Sequence, residues 1–395
     1  MDPGNWATDI EAGSRFGFNL LFVVLLSSLA AVVLQCLCLR LGLVAEKDLA
    51  QLCRERFSPL VNRVLWFFAE IAIIACDLAE VLGSALAFHL LFGCSLMVGV
   101  AITALDTLIV LGLKGKGFRQ IEAIILGLVL TISACYFVEL LLIKPNWSLV
   151  AWGFVPSLQK LSSTDSIYLA IGIIGATVMP HNLYLHTSIV QTRLGENTFR
   201  AKQEAIRFST ADTVFSLSLA FVVNAAILIL AGAAFHATGH SAVTEIEDAY
   251  KLLEPIVGGR VASLVFAVGL LAAGQSSTFT GTIAGQVIME GHLELKIPCW
   301  QRRVITRSLA LIPAFVGLWM LGENSTGRLL VLSQVILSLQ LPFVILPLIL
   351  FTNSQAIMGP FVNSALRKLL VWSLFVAISL ANLWLIWSFF TSQAV

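Results

Sequence analysis

Two short polar stretches interrupt an apolar chain in the same way: Asp2-Pro3-Gly4-Asn5 at its start and Met179-Pro180-His181-Asn182 inside a long apolar run. Proline removes a backbone donor and disfavours helix at the residue before it, so each X-Pro-X-Asn marks a helix break. Asp2 offers a carboxylate oxygen, Asn5 an amide oxygen and Met179 a thioether. The unwound turn before Pro180 frees carbonyls, of which Ala176 is one candidate. Oxygens alone suit the hard ions Mg²⁺ and Ca²⁺. A thioether beside them shifts the preference towards Mn²⁺, Fe²⁺, Co²⁺ or the thiophilic Cd²⁺. An isolated methionine is ordinarily a packing residue; its place directly before the proline of a break makes Met179 a candidate ligand.

A second set of residues could move protons. Glu70, Asp77 and Glu80 lie on one apolar run. Seven residues return a helix to within about 20° of its starting face and ten to within about 80°, so the three share a face. Carboxylates at membrane depth are costly and suggest a proton route. His181 and His186 flank the second break, and histidine titrates near neutral pH. Arg193 follows on the face of His186, and Arg302 and Arg303 enter a later span; all three are candidate partners for the carboxylate row, with structural salt bridges as the alternative. The small and hydroxyl residues from Ala273-Gly274-Gln275-Ser276-Ser277-Thr278 to Gln286 suit close helix packing. Gln334 and Gln340 mark a polar face on another span. Asp106 and Glu139 are also intramembrane by hydropathy, and their context assigns them no role.

These groups need a membrane scaffold to hold them. Of the 395 residues, 58% are hydrophobic and 12% charged, with mean hydropathy +0.91. A soluble domain carries roughly 25% charged residues, and disorder requires low hydrophobicity, so both classes are excluded. The formal charge of +1 gives no reason to expect a nucleic-acid partner. No obligatory protein partner is evident, and no signal peptide is visible. The seven cysteines form no CxxC pair and read as small core residues.

Apolar runs at 17–39, 62–91, 95–113, 121–143, 167–192, 208–235, 260–289, 304–321, 329–351 and 369–390 make ten complete spans in one membrane domain. If the loop after the first run is cytoplasmic, most of the 24 basic residues fall on that side. The positive-inside rule then places the C-terminus outside and the opening motif within the bilayer. An odd number of crossings separates the two breaks, which gives the halves opposite topology. That is the pattern of an inverted repeat with its site between discontinuous helices near the midplane.

With these residues in view, the chain closely resembles the Nramp family (natural resistance-associated macrophage proteins), particularly its bacterial MntH-type manganese transporters. The resemblance covers essentially the whole chain. It rests on Asp2-Pro3-Gly4-Asn5-Trp6-Ala7-Thr8-Asp9, Gly175-Ala176-Thr177-Val178-Met179-Pro180-His181-Asn182 and Ala273-Gly274-Gln275-Ser276-Ser277-Thr278. It implies an all-α, polytopic LeuT-like fold of 5+5 inverted helices plus an eleventh. The first repeat would occupy 1–143, the second 167–351, and the additional C-terminal helix 369–390. Members carry a half-helix and a leader before the Asp-Pro-Gly-Asn motif, so the first helix is expected here as its outer half alone.

The resemblance further implies proton-coupled import of divalent transition metal across the cytoplasmic membrane, with Mn²⁺ or Fe²⁺ as cargo, protons as coupling ion and no cofactor. Asp2, Asn5, Met179 and the Ala176 carbonyl look like the metal ligands, and Gln334 like a position that approaches the metal in some conformations. Asp2 and His181 resemble the family's proton-handling residues. Glu70, Asp77, Glu80, Arg193, Arg302 and Arg303 resemble its outward-leading polar network, and His186 a pH-linked position in the second broken helix. Three rivals remain. An oxygen-only Mg²⁺ transporter is disfavoured by Met179, and an amino-acid symporter by the acidic Asp2. A membrane-embedded metalloenzyme is disfavoured by a His181–His186 spacing unlike His-Glu-x-x-His.

Overall fold

The computed structural model describes residues 2–105, 118–195, 198–240, 243–257, 260–322 and 325–392. Almost all of these are helical, and no strand occurs among them. The first half contains α1 (Pro3–Phe16), α2 (Leu21–Ala45), α3 (Leu49–Arg56), α4 (Pro59–Phe92), α5 (Leu96–Thr103), α6 (Phe118–Ile143) and α7 (Trp147–Gly153). Next come the broken pair α8 (Thr164–Val178) and α9 (Pro180–Ile189), then α10 (Phe199–Ala231), α11 (Ile246–Val257) and α12 (Arg260–Leu293). The chain closes with α13 (Cys299–Leu321), α14 (Thr326–Thr352), α15 (Gln355–Met358) and α16 (Ala365–Ser392).

Nine segments among the described residues are long and apolar enough to cross a membrane, the α8–α9 pair forming one of them. The expected span at 95–113 is described only in part, as α5, and Asp106 lies outside the described residues. Large apolar side chains face outward, such as Trp319 at 81% exposure and Phe215 at 72%. Such a surface suits lipid as the surrounding medium.

Local chemistry explains where the helices stop and start. Ser58 caps α4 by accepting from Val61 N, Pro59 fills the first turn, and Gly93 at φ 68° ends the helix. At the centre, α1 packs against α4, α8, α10 and α14, while α4 and α12 lie side by side. Gly175 is required for this packing. A Cβ there would sit 2.0 Å from the Gln334 carbonyl oxygen, so α8 and α14 approach through backbone. Six cysteines whose side chains are described are free, and four of these are buried.

Outside the spans, Glu245 ties the loop before α11 to the start of α14. Its carboxylate accepts from Gly327 N at 2.6 Å. Burial pushes the carboxyl from 4.5 up to about 7, against the opposing effect of that hydrogen bond. Between these values the folded chain holds a proton that the unfolded chain has released, so stability falls as pH rises through this window. Melting temperatures measured from pH 4.5 to 7 should decline, and Glu245→Gln should flatten the decline. Identical slopes for the two proteins would show that Glu245 is not the responsible group.

Candidate metal and proton site

The first break is a helix start built from its own ligands. Asp2 takes extended backbone (φ −119°, ψ 169°) and caps α1, with Pro3 in the first turn, where a missing N–H costs nothing. Asp2 Oδ1 accepts from Asn5 N at 2.9 Å, and Asn5 Oδ1 accepts from Asp2 N at 3.2 Å. Both side chains are buried, and Asp2 Oδ2 has no hydrogen-bond partner among the described residues. Gln334, on α14, lies directly over this turn. A Cβ on Gly4 would come within 1.8 Å of its amide nitrogen, so only glycine lets the amide so close.

At the second break, Met179 takes φ 49° and ψ 95° between α8 and α9. Its N–H still reaches Gly175 O at 3.1 Å. Pro180 has no N–H to offer the carbonyl four residues earlier, which is that of Ala176. The carbonyl singled out from the sequence therefore lacks its helical donor, at a helix C-terminus where carbonyl dipoles favour a cation. Met179 Sδ accepts from Asn182 Nδ2 at 3.1 Å.

Asn5, Ala176 and Met179 line one cavity of about 100 Å³, closed by α2 and α10 through Ser28, Phe221 and Asn224. The buried Asn224 Oδ1 and Thr177 Oγ1 have no partner among the described residues, adding oxygen acceptors that sequence reasoning missed. An asparagine inside the apolar 208–235 run was the available signal for one of them.

The carboxylate row of α4 meets arginines on α13. Arg302 Nη2 donates to Glu70 at 2.7 Å, and Trp66 Nε1 donates to the same carboxylate at 3.1 Å. Arg303 bridges Asp77 and Glu80, with its Nη2 3.1 Å from Glu80 Oε2. Glu80 is wholly buried and also accepts from Ser277 at 3.1 Å and Thr278 at 3.2 Å. Arg307, one turn beyond Arg303, stands 3.8 Å from Glu80. Cys76 Sγ lies 3.6 Å from Glu80 Oε1 and 3.8 Å from His181 Nε2. A chain of polar contacts therefore leads from the second break to the row of ion pairs.

Three expectations need correction. Arg193 does not join the carboxylate row; it pairs with Asp212 on α10 at 2.7 Å, in a half-exposed position. A face shared with His186 along one helix did not reveal which neighbouring helix that face meets. Ser277 and Thr278, read as packing residues, are hydrogen-bond donors to Glu80. Cys76, read as filler, touches both Glu80 and His181. Arg307 joins the row as well, its spacing of four from Arg303 putting both on one helix face. His186 pairs with Gln35 of α2, away from the row. Glu139 is buried with neither carboxyl oxygen hydrogen-bonded.

Comparison with known proteins adds a separate line. Residues 1–388 match the family model described as natural resistance-associated macrophage protein-like (Nramp). A Ralstonia nicotianae protein named "Divalent metal cation transporter MntH" is 67% identical over 387 residues, which is 98% of this chain and 88% of the relative. The Pseudomonas aeruginosa "Divalent metal cation transporter MntH 1" is 63% identical over 390 residues, 99% of this chain and 89% of the relative. Among solved structures, the Eremococcus coleocola manganese transporter superposes with TM-score 0.90 at 38% identity, covering 99% of this chain and 85% of that one. MhsT, solved with L-phenylalanine, shares the LeuT-like fold at TM-score 0.59 and 14% identity, with 98% of each chain covered.

Proposed function

This chain belongs to the Nramp family, and on that premise we propose that it imports divalent transition metal, Mn²⁺ or Fe²⁺, across the cytoplasmic membrane together with protons. The family's curated members and its solved neighbour are named as metal transporters rather than enzymes. The observation that carries the reading is the meeting of two helix breaks. Asn5, Ala176 and Met179 line one cavity, and Asp2 Oδ2, without a hydrogen-bond partner among the described residues, lies at the adjoining cap.

In this reading the cargo ion exchanges part of its water shell for Asp2, Asn5, Met179 and the Ala176 carbonyl, with Gln334 approaching over Gly4. The thioether favours Mn²⁺, Fe²⁺, Co²⁺ and Cd²⁺ over Mg²⁺. A cation beside Asp2 expels its proton. His181 and Cys76 lead from the site to Glu80, and the arginine-paired carboxylates Glu80, Asp77 and Glu70 continue the route towards a partly exposed end, Glu70 being 18% exposed. His186 and Arg193 pair with α2 and α10 respectively, which suits contacts that hold the second broken helix in one conformation and release it in another. Alternating access would then move α1 and the α8–α9 pair, the first members of the two inverted repeats, against the remaining helices. The C-terminus is assigned to the outside by the distribution of basic residues.

The test is uptake by the purified chain in liposomes carrying an internal pH indicator. Mn²⁺ should accumulate and the lumen acidify in step. Strong competition by millimolar Mg²⁺ would favour the oxygen-only reading. Accumulation with no acidification would remove proton coupling.

A further inference from the structure

A groove lined by two arginines is a feature that metal transport does not use. The end of α2, the start of α10 and the start of α16 enclose a groove of about 470 Å³. Val33, Leu37, Ile206 and Leu370 form its apolar wall, and Arg40 and Arg367 stand at its polar end.

The charges there are unbalanced. Arg40, Arg367 and Cys36 line this one groove, and the two guanidinium groups repel each other. Arg40 spends its donors on neutral oxygens, Asn363 Oδ1 at 2.7 Å and the Phe361 carbonyl. Arg367 is exposed, and its side chain makes no hydrogen bond or ion pair with a described residue. No carboxylate of a described residue pairs with either. Two like charges facing one groove, with no carboxylate of a described residue paired to either, attract an anion.

We propose that this groove binds an anionic phospholipid, with its phosphodiester between Arg40 and Arg367 and an acyl chain along the apolar wall. Charge alone would admit free phosphate. The wall decides for lipid, because inorganic phosphate gains nothing from Val33, Leu37 or Leu370. The flank of the groove is also the lipid-facing start of α16, where Leu366 is 76% exposed and Leu369 66%. Basic pockets between spans on the positively charged face are where anionic headgroups dock.

The test uses the full chain in mild detergent, read by native mass spectrometry and by melting temperature. Phosphatidylglycerol should be retained and should raise the melting temperature, phosphatidylcholine should do so far less, and inorganic phosphate should have no effect. Arg367→Gln should cut phosphatidylglycerol retention about fivefold, Arg367→Lys should keep most of it, and Arg56→Gln, on α3, should leave it unchanged. Arg367 is the chosen probe because the bonds of Arg40 also hold the 361–363 segment. Equal retention by Arg367→Gln would overturn the proposal. So would an equal loss in Arg56→Gln, which would reveal attraction to the surface at large, or stabilisation by phosphate equal to that by lipid.

Discussion

Replacing Met179 by alanine should weaken Cd²⁺ binding by about tenfold more than Mn²⁺ binding, a difference of about 1.4 kcal/mol. Both ions accept oxygen ligands, which the variant retains at Asp2, Asn5 and the Ala176 carbonyl. The thiophilic Cd²⁺ draws more extra energy from sulfur than Mn²⁺ does. The thioether is also held in place, because Asn182 Nδ2 donates to Sδ at 3.1 Å and the backbone at Met179 is locked between two helix ends. Calorimetric titration of the purified variant with each metal measures the two losses. Equal losses would remove the soft-ligand argument and return Mg²⁺-type oxygen chemistry to consideration.

The second large effect concerns Arg303, whose side chain is fully buried between Asp77 and Glu80. Arg303→Met should destabilise the protein by about 3–5 kcal/mol, because breaking a buried ion pair leaves charge without compensation. Arg307 already pairs with Glu80 at 3.8 Å, so it compensates only in part, and Asp77 loses the guanidinium that Arg303 holds against it. Adding Asp77→Asn to the Arg303→Met variant should recover much of the loss, because the stranded carboxylate disappears with its partner. Thermal unfolding in detergent measures both variants. A destabilisation below about 1 kcal/mol in Arg303→Met would mean that the row is hydrated rather than dry. Proton-coupled uptake by the double variant then tests the route separately from the fold. If coupling survives with Asp77 and Arg303 both neutral, protons travel another way.

The two breaks were legible in the sequence because proline acts locally: whatever surrounds it, Pro180 cannot give the Ala176 carbonyl the N–H that an unbroken helix would supply. The α4 row was legible through helical periodicity, which requires only that the segment be one helix. What periodicity cannot supply is the identity of the facing helix. Arg193 and His186 share a face by spacing, yet one turns to Asp212 and the other to Gln35. Ser277, Thr278 and Cys76 are small residues of the kind that packing alone would select. Only the arrival of Glu80 beside them distinguishes a donor from a spacer. Asn224 stood out as polar in an apolar run, but its side of α10 was set by tertiary packing with α1 and α2.

The reciprocal cap at the first break has a consequence for how tightly cargo is held. One oxygen of Asp2 and the amide oxygen of Asn5 are engaged in starting α1, which freezes both side chains in single rotamers before any ion arrives. A flexible acidic side chain loses rotamer freedom when it closes on a ligand, and that loss subtracts from affinity. Here the loss was incurred during folding, and Asp2 Oδ2 is presented at a fixed angle with nothing left to order. The geometry of the site is thus inherited from the helix, so a change that loosens the first turn of α1 would blunt metal discrimination without touching a ligand.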